Sequence, residues 1–139
     1  VMHVRFVVGT DVSQLHQHLQ THLAAHGFGE IQIEVGPVMA ATRLDPDNAW
    51  VRFALASIEH STGQAPVLLP NLGGSLPNDV FADILGLPTV WVPHSYPACS
   101  QHAPDEHLLV PVVREALVLM TGLFWDLGEQ AATLPRRPH

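Results

Sequence analysis

One polar loop, at 93–109, concentrates side chains that can do chemistry, and they are His94, Cys99, His102, Asp105, Glu106 and His107. Histidine is the commonest metal ligand, and α/β proteins bind ligands beyond the carboxyl ends of their strands. Because this loop follows a predicted strand, it can hold a metal ion. The alternative is a solvated loop whose Asp105 and Glu106 lie at the positive N-terminal end of the next helix.

A second loop, 70–78, reads PNLGGSLPN and lies between a predicted strand and a predicted helix. Gly73 and Gly74 allow backbone N–H groups to approach an anion, and Ser75 adds a hydrogen-bond donor. The alternative is a turn that needs glycine for its backbone angles. The loop has neither the G-x-G-x-x-G pattern nor the P-loop pattern, so two adjacent glycines alone do not identify a phosphate site.

Histidines also recur along the first predicted helix. His18, His22 and His26 are spaced at i, i+4 and i+8, with His16 nearby. This spacing stacks the imidazoles on one helix face, which is either a metal-binding surface or a partly solvated flank. No carboxylate on that helix completes a metal site, and the purpose of the stripe stays open.

Two nucleophilic arrangements are available from the residue types alone. Ser75, His102 and Asp105 supply a Ser–His–Asp set, but the sequence has no G-x-S-x-G turn to present the serine. Cys99 and His102 supply a thiol and an imidazole, although three residues of separation within a loop are poor support for that geometry.

Short strands and helices must position these loops. Apolar runs predict strands at 2–8, 30–36, 66–69 and 88–92. Apolar residues at helical spacing predict helices at 12–26, from Asp45–Pro46 to Gly63, at 79–85 and at 110–127. We expect Thr10 or Asp11 to cap the first helix and Asp45 to cap the second. The order of elements predicts an α/β fold, in which helices cover short buried strands.

Composition excludes several classes of protein. The chain has 139 residues, 47% of them hydrophobic, which excludes disorder for most of its length. Its formal charge is −7 and it has no lysine, which argues against binding to nucleic acid or to an anionic membrane. Its single cysteine cannot form an internal disulfide. We therefore expect a cytoplasmic protein.

The predicted strands are too few to close a core, since they would leave sheet edges unpaired. The sequence also starts directly with the strand-like run VMHVRFVV and without an initiator methionine. From these two features we expect a piece of a larger protein.

The stretch GGSLPNDVFADILGLPTVWVPHSYPACSQHAPDEHL, residues 73–108, resembles the C-terminal catalytic segment of the di-zinc metallopeptidases. That family includes carnosinase-like dipeptidases, carboxypeptidase G, aminoacylase and acetylornithine or succinyl-diaminopimelate deacylases, and the GGSLP form is closest to the carnosinase-like branch. The resemblance implies the end of an α/β zinc-exopeptidase catalytic domain (phosphorylase/hydrolase-like) at 41–128. Half of a ferredoxin-like lid or dimerisation domain would precede it at 1–40, and a tail would follow at 129–139.

The resemblance also implies roles for individual residues. His102 matches the last zinc ligand, in a His-x-Pro-Asx-Glu motif whose Asp105 and Glu106 would support it. Gly73, Gly74 and Ser75 match the loop that lines the substrate pocket. Arg5, in VRFVVGTD, matches a lid arginine that binds a substrate carboxylate, although Val8 stands where the family has proline.

These roles imply a hydrolase that cuts the amide bond of dipeptides or N-acyl amino acids with a water activated by two zinc ions. The family's other zinc ligands and its general-base glutamate belong to motifs absent from this sequence, so no catalytic residue is assigned here and the chain alone is expected to be inactive. We expect a homodimer formed through the lid. The alternatives are a non-catalytic dimerisation or interaction module of the same fold and, with less support, a hydrolase that uses Ser75 or Cys99.

Overall fold

The computed structural model describes residues 1–136, and the chain folds into two compact units. Unit 1 consists of Val1–Arg43 and Gly73–Leu87. Unit 2 consists of Leu44–Leu72 and the chain from Pro88 onward. The second segment of unit 1 is therefore inserted, in sequence, between the two segments of unit 2.

The longest helix of unit 1, α1, spans Leu15–Ala25 and follows a single 3-10 turn at Val12–Gln14. Asp11 caps this stretch, since its carboxylate accepts hydrogen bonds from Ser13 N at 3.0 Å and from Ser13 Oγ at 2.6 Å. Gly27 follows with φ of +83°, a left-handed conformation that glycine adopts without strain. The first predicted helix and its cap are confirmed.

The second segment of unit 1 contains one wide helical turn, Val80–Ile84, where the sequence predicts a short helix over 79–85. Gly86 has φ of +63° and ends this turn, as its position predicts. The turn follows directly after the loop that contains Gly73, Gly74 and Ser75. Its short length leaves that loop with little regular structure to hold it, so side-chain hydrogen bonds must position it.

Two helices form the core of unit 2: α2, Ala49–Thr62, packs against α3, Val110–Gln130. The buried residues of the described chain all lie in this unit, and they are Val51, Ala54, Ser57, Cys99, Leu119 and Asp126. Small side chains recur on the α2 face, and a Cβ added at Gly122 of α3 would overlap Ser61 Oγ. The absence of a side chain at Gly122 therefore allows the two helices to approach closely.

The start of α2 differs from its prediction, because Asn48 caps the helix and Asp45 does not. The Asn48 side chain accepts a hydrogen bond from Trp50 N at 2.9 Å. Asp45 instead closes the preceding turn, in which its carbonyl accepts from Asn48 N at 2.9 Å. Both residue types cap helices, so the local pattern alone did not decide between them. Gly63 ends α2 with φ of +70°, as predicted.

Residues 1–136 contain no strand. None of the segments in which strands are predicted, 2–8, 30–36, 66–69 and 88–92, forms a strand among these residues. The helical part of the predicted pattern is thus present, whereas the sheet is not seen. The ranges 1–40, 41–128 and 129–139 stay predictions, and residues 137–139 of the predicted tail lie outside the described residues.

None of the helices in the described part of the chain is both long enough and apolar enough to cross a bilayer.

Candidate functional site

Three residues that the resemblance assigns to substrate binding meet within unit 1. Arg5 Nη1 donates to the carbonyl oxygen of Gly73 and to Ser75 Oγ, each at 3.2 Å. Sixty-eight and seventy residues of chain separate these partners from Arg5. No local rule brings them together, so the contact is a feature of the tertiary structure of this unit.

The far side of the same loop is attached to another part of unit 1. Asn78 Nδ2 donates to Thr42 Oγ1 at 2.5 Å, and Ala40 N donates to Asp79 Oδ2 at 3.2 Å. The loop is therefore held by Arg5 at one end and by residues 40–42 at the other. Asp79 Oδ1 is buried and has no hydrogen-bond partner among the described residues. These contacts give the loop a defined position beside the guanidinium group.

The guanidinium group keeps donors for a further ligand. Both hydrogen bonds that Arg5 makes with the described residues use Nη1, which leaves Nη2 and Nε of its planar fork. Arg5 is exposed, and no described carboxylate forms an ion pair with it. A guanidinium group binds a carboxylate with two parallel hydrogen bonds. The arrangement can therefore recognise the carboxylate of a small molecule.

The two glycines of this loop do not adopt the left-handed backbone conformation that favours glycine. Neither Gly73 nor Gly74 has a positive φ, so the turn does not need glycine for its angles. A Cβ added at Gly73 would meet no atom within 4 Å. Gly73 instead leaves open space beside its own backbone, whose carbonyl oxygen Arg5 contacts, and a ligand can approach the chain there.

His102 lies in a separate loop in unit 2, where its backbone has φ of +62°. Its backbone N–H donates to Glu106 Oε2 at 3.3 Å. The Asp105 carbonyl accepts from His107 Nδ1 at 2.7 Å, and Asp105 also has a left-handed φ of +63°. Glu106 thus supports the backbone of His102 rather than its imidazole ring. The imidazole is exposed and has no hydrogen bond to the described residues.

Further contacts close the loop around His102. Cys99 N donates to the Tyr96 carbonyl, and His107 N donates to the Cys99 carbonyl, both at 3.0 Å. The Tyr96 and His107 rings lie edge to face with centroids 6.0 Å apart. These contacts fix the course of the loop at Cys99 and His107, while residues 101–110 are exposed. It does not cap α3 either, since Leu109 precedes α3 without a side-chain cap.

The residues described here do not assemble a zinc site of the kind the resemblance implies. Such a site needs about three protein ligands, whereas no group of three or more His, Cys, Asp or Glu side chains in residues 1–136 is arranged to hold a metal ion. His102 supplies one imidazole only. No catalytic step can therefore be derived through zinc from these residues.

The other candidate groups have different surroundings. The Cys99 thiol is buried and makes no hydrogen bond to His102 within the described chain, which gives a thiol–imidazole pair no support. His94 lines an apolar cavity of about 280 Å³ in unit 2, together with residues of α3. Neither placement adds a ligand or a nucleophile to the loop around His102.

A polar cluster between α2 and α3 was not anticipated from the sequence. Asp126 is buried, and its Oδ2 lies 3.4 Å from His60 Nδ1. The Ser57 hydroxyl approaches this carboxyl without reaching normal hydrogen-bond geometry, and it lowers the pKa of Asp126 more than His60 does. The signal was available, because Asp126 falls on the same helix face as Leu119, seven residues earlier.

Comparisons with protein-family models, with curated proteins and with solved structures find no match to this chain.

Proposed function

We propose that this chain is part of a metal-dependent peptidase or amidohydrolase of the di-zinc metallopeptidase family. The observation that carries the proposal is the contact of Arg5 with Gly73 and Ser75. The resemblance assigns all three residues to substrate binding, although they lie far apart in sequence. Their contact within unit 1 supports a shared binding site.

In this proposal Arg5 binds the free carboxylate of a dipeptide or an N-acyl amino acid. The Gly73 carbonyl and the Ser75 hydroxyl hold Nη1, so the rest of the fork has a fixed direction. A guanidinium group that is already held in place loses little conformational entropy when it binds a ligand. Its affinity for the ligand is therefore higher than that of a freely moving arginine. The open space at Gly73 admits the substrate next to this donor.

His102 is the one zinc ligand that the proposal assigns to this chain. When bound, two zinc ions would supply an activated water and polarise the amide carbonyl. The remaining zinc ligands and the general base would come from residues outside this sequence. The 139 residues alone are therefore expected to be inactive. The proposal includes the α/β arrangement of the whole catalytic domain, a homodimer formed through residues 1–40 and a cytoplasmic location.

A second candidate is a non-catalytic interaction module with the same fold. The observation that favours it is the apolar surface of α3, where Phe124 is 71% exposed and Trp125 is 69% exposed. Large apolar patches on a protein surface mark interaction sites. A module of this kind would keep the fold and bind no carboxylate substrate at Arg5, which separates it from the first candidate.

The experiment that tests the first candidate is a nuclear magnetic resonance titration of the full 139-residue chain. N-acetylalanine is the carboxylate probe, and N-acetylalanine amide is the matched probe without the charge. We expect N-acetylalanine to shift the Arg5 Nε–H and Gly74 N–H signals. Arg5→Ala should weaken this binding about tenfold, which corresponds to about 1.4 kcal/mol.

Arg43→Ala is the control, since Arg43 is an exposed arginine of the same unit. It should bind N-acetylalanine like the unmodified chain, and the amide probe should bind weakly to every variant. Equal binding of the two probes, or an Arg5→Ala variant that binds normally, would contradict the role of Arg5. Amide hydrolysis by the pure chain with added zinc would contradict the expectation that it is inactive.

A further inference from the structure

The histidine stripe of α1 contains a pair of imidazoles that lie against each other. The ring centroids of His22 and His26 are 4.1 Å apart, and the ring planes are inclined by 33°. Both side chains are exposed at the end of α1, where His22 lies in the last turn and His26 follows the helix. Two imidazoles at this distance can bind the same ion after a small rotation of their side chains.

A hydrogen bond determines which nitrogen of His26 is available. His26 Nδ1 lies 2.8 Å from the carbonyl oxygen of His22. A carbonyl only accepts hydrogen bonds, so Nδ1 carries the proton, and in the neutral imidazole Nε2 carries the lone pair. In metal sites, a backbone carbonyl commonly holds the other ring nitrogen of a ligating histidine in this way. The backbone of α1 therefore orients His26 as an Nε2 ligand.

The electrostatic surroundings also favour a cation. The carbonyl groups at the C-terminal end of a helix carry partial negative charge, and this pair lies at that end of α1. Unit 1 contains two arginines and five carboxylates, the latter being Asp11, Glu30, Glu34, Asp79 and Asp83. The side chains of unit 1 therefore carry a net negative charge, which attracts a divalent cation.

We propose that His22 and His26 form a surface site for a divalent first-row transition ion, with water molecules as the remaining ligands. Imidazole nitrogen suits zinc, copper and nickel ions. The site has two protein ligands, which agrees with the lack of any three-ligand group among residues 1–136. It shares no residue with the site proposed above, which uses Arg5, Gly73, Ser75 and His102.

Calorimetric titration of the full chain with zinc chloride tests this inference. We expect one weakly bound zinc ion for each chain. His22→Ala and His26→Ala should each weaken it at least about tenfold, the smallest loss typical for removal of a group that supports a metal site. Both side chains are exposed, so circular dichroism should show unchanged helix content in each variant.

Two histidine variants serve as controls. His16 lies on α1 but on another face of the helix, so His16→Ala should bind zinc like the unmodified chain. His102→Ala should also leave this binding unchanged. Normal binding by His22→Ala and His26→Ala, or equal weakening in His16→Ala, would overturn the inference. Loss in His102→Ala alone would assign the zinc to the pocket of the proposed function and overturn this site only.

Discussion

The close approach of α2 and α3 at Gly122 can be measured by exchanging glycine for alanine at two positions of α3. Gly122 faces Ser61 of α2, whereas an added Cβ at Gly128 would meet no atom within 4 Å. Alanine favours a helix over glycine by up to about 1 kcal/mol. Both substitutions share this gain, so the difference between them reports the contact with α2.

The structure sets the size of that difference. A Cβ at Gly122 would overlap Ser61 Oγ and would lie 3.1 Å from Ser61 Cβ. Rotation of the hydroxyl removes the overlap, but 3.1 Å is shorter than the separation of about 3.5 to 4.0 Å at which carbon atoms attract. Overpacking of this kind costs about 1–3 kcal/mol. We therefore expect Gly128→Ala to stabilise unit 2 slightly and Gly122→Ala to destabilise it by up to about 2 kcal/mol.

Urea unfolding measures the free energy of unfolding of each variant, and an unchanged dependence on urea would show that the same surface is exposed. The double variant Ser61→Gly with Gly122→Ala should recover most of the loss, because it removes both atoms that the new methyl group meets. An equal gain in stability for Gly122→Ala and Gly128→Ala would refute the close packing of the two helices.

Two further predictions concern the same unit. Because the Ser57 hydroxyl and then His60 lower the pKa of Asp126, its carboxylate stabilises the fold above about pH 4, and this stabilisation is lost as the pH falls through the lowered pKa. Urea titrations at pH 2 to 6 measure the free energy of unfolding, and Asp126→Asn should abolish this part of its pH dependence. Ser57→Ala should move the loss of stability to higher pH. An unchanged pH profile in both variants would be inconsistent with the role of the cluster. Asn48→Ala should cost about 1 kcal/mol by removing the cap of α2, whereas Asp45→Ala should cost less. Thermal unfolding measures both, and a larger loss for Asp45→Ala would favour the start of α2 predicted from the sequence.

Local signals in the sequence were sufficient for the presence of the helices and for most of their ends. Asp11 and Gly27 enclose α1 as expected, and Gly63 ends α2. The start of α2 was misplaced because Asp45 and Asn48 both satisfy the capping rule. Only the turn between them, which places the Asn48 side chain on Trp50 N, distinguishes the two.

Contacts between distant residues were less predictable. The contact of Arg5 with Gly73 and Ser75 was not predicted, since the resemblance gave each of these residues a role in substrate binding without placing them next to each other. The buried carboxyl of Asp126 was missed because its partners, Ser57 and His60, lie on α2 and far from it in sequence. A charged residue on a buried helix face signals a polar partner on the facing helix.

The interleaved connectivity of the two units has a consequence for the order in which the chain assembles. Residues 63–109 separate α2 from α3, a far longer connection than the roughly two to eight residues usual between packed helices. Closing a loop costs about 0.6 kcal/mol for each doubling of its length. Gly73–Leu87 is part of this connection and belongs to unit 1. Once unit 1 is ordered, these residues no longer move freely, and the flexible part of the connection between α2 and α3 is shorter. Ordering of unit 1 therefore slightly lowers the entropic cost of pairing α2 with α3.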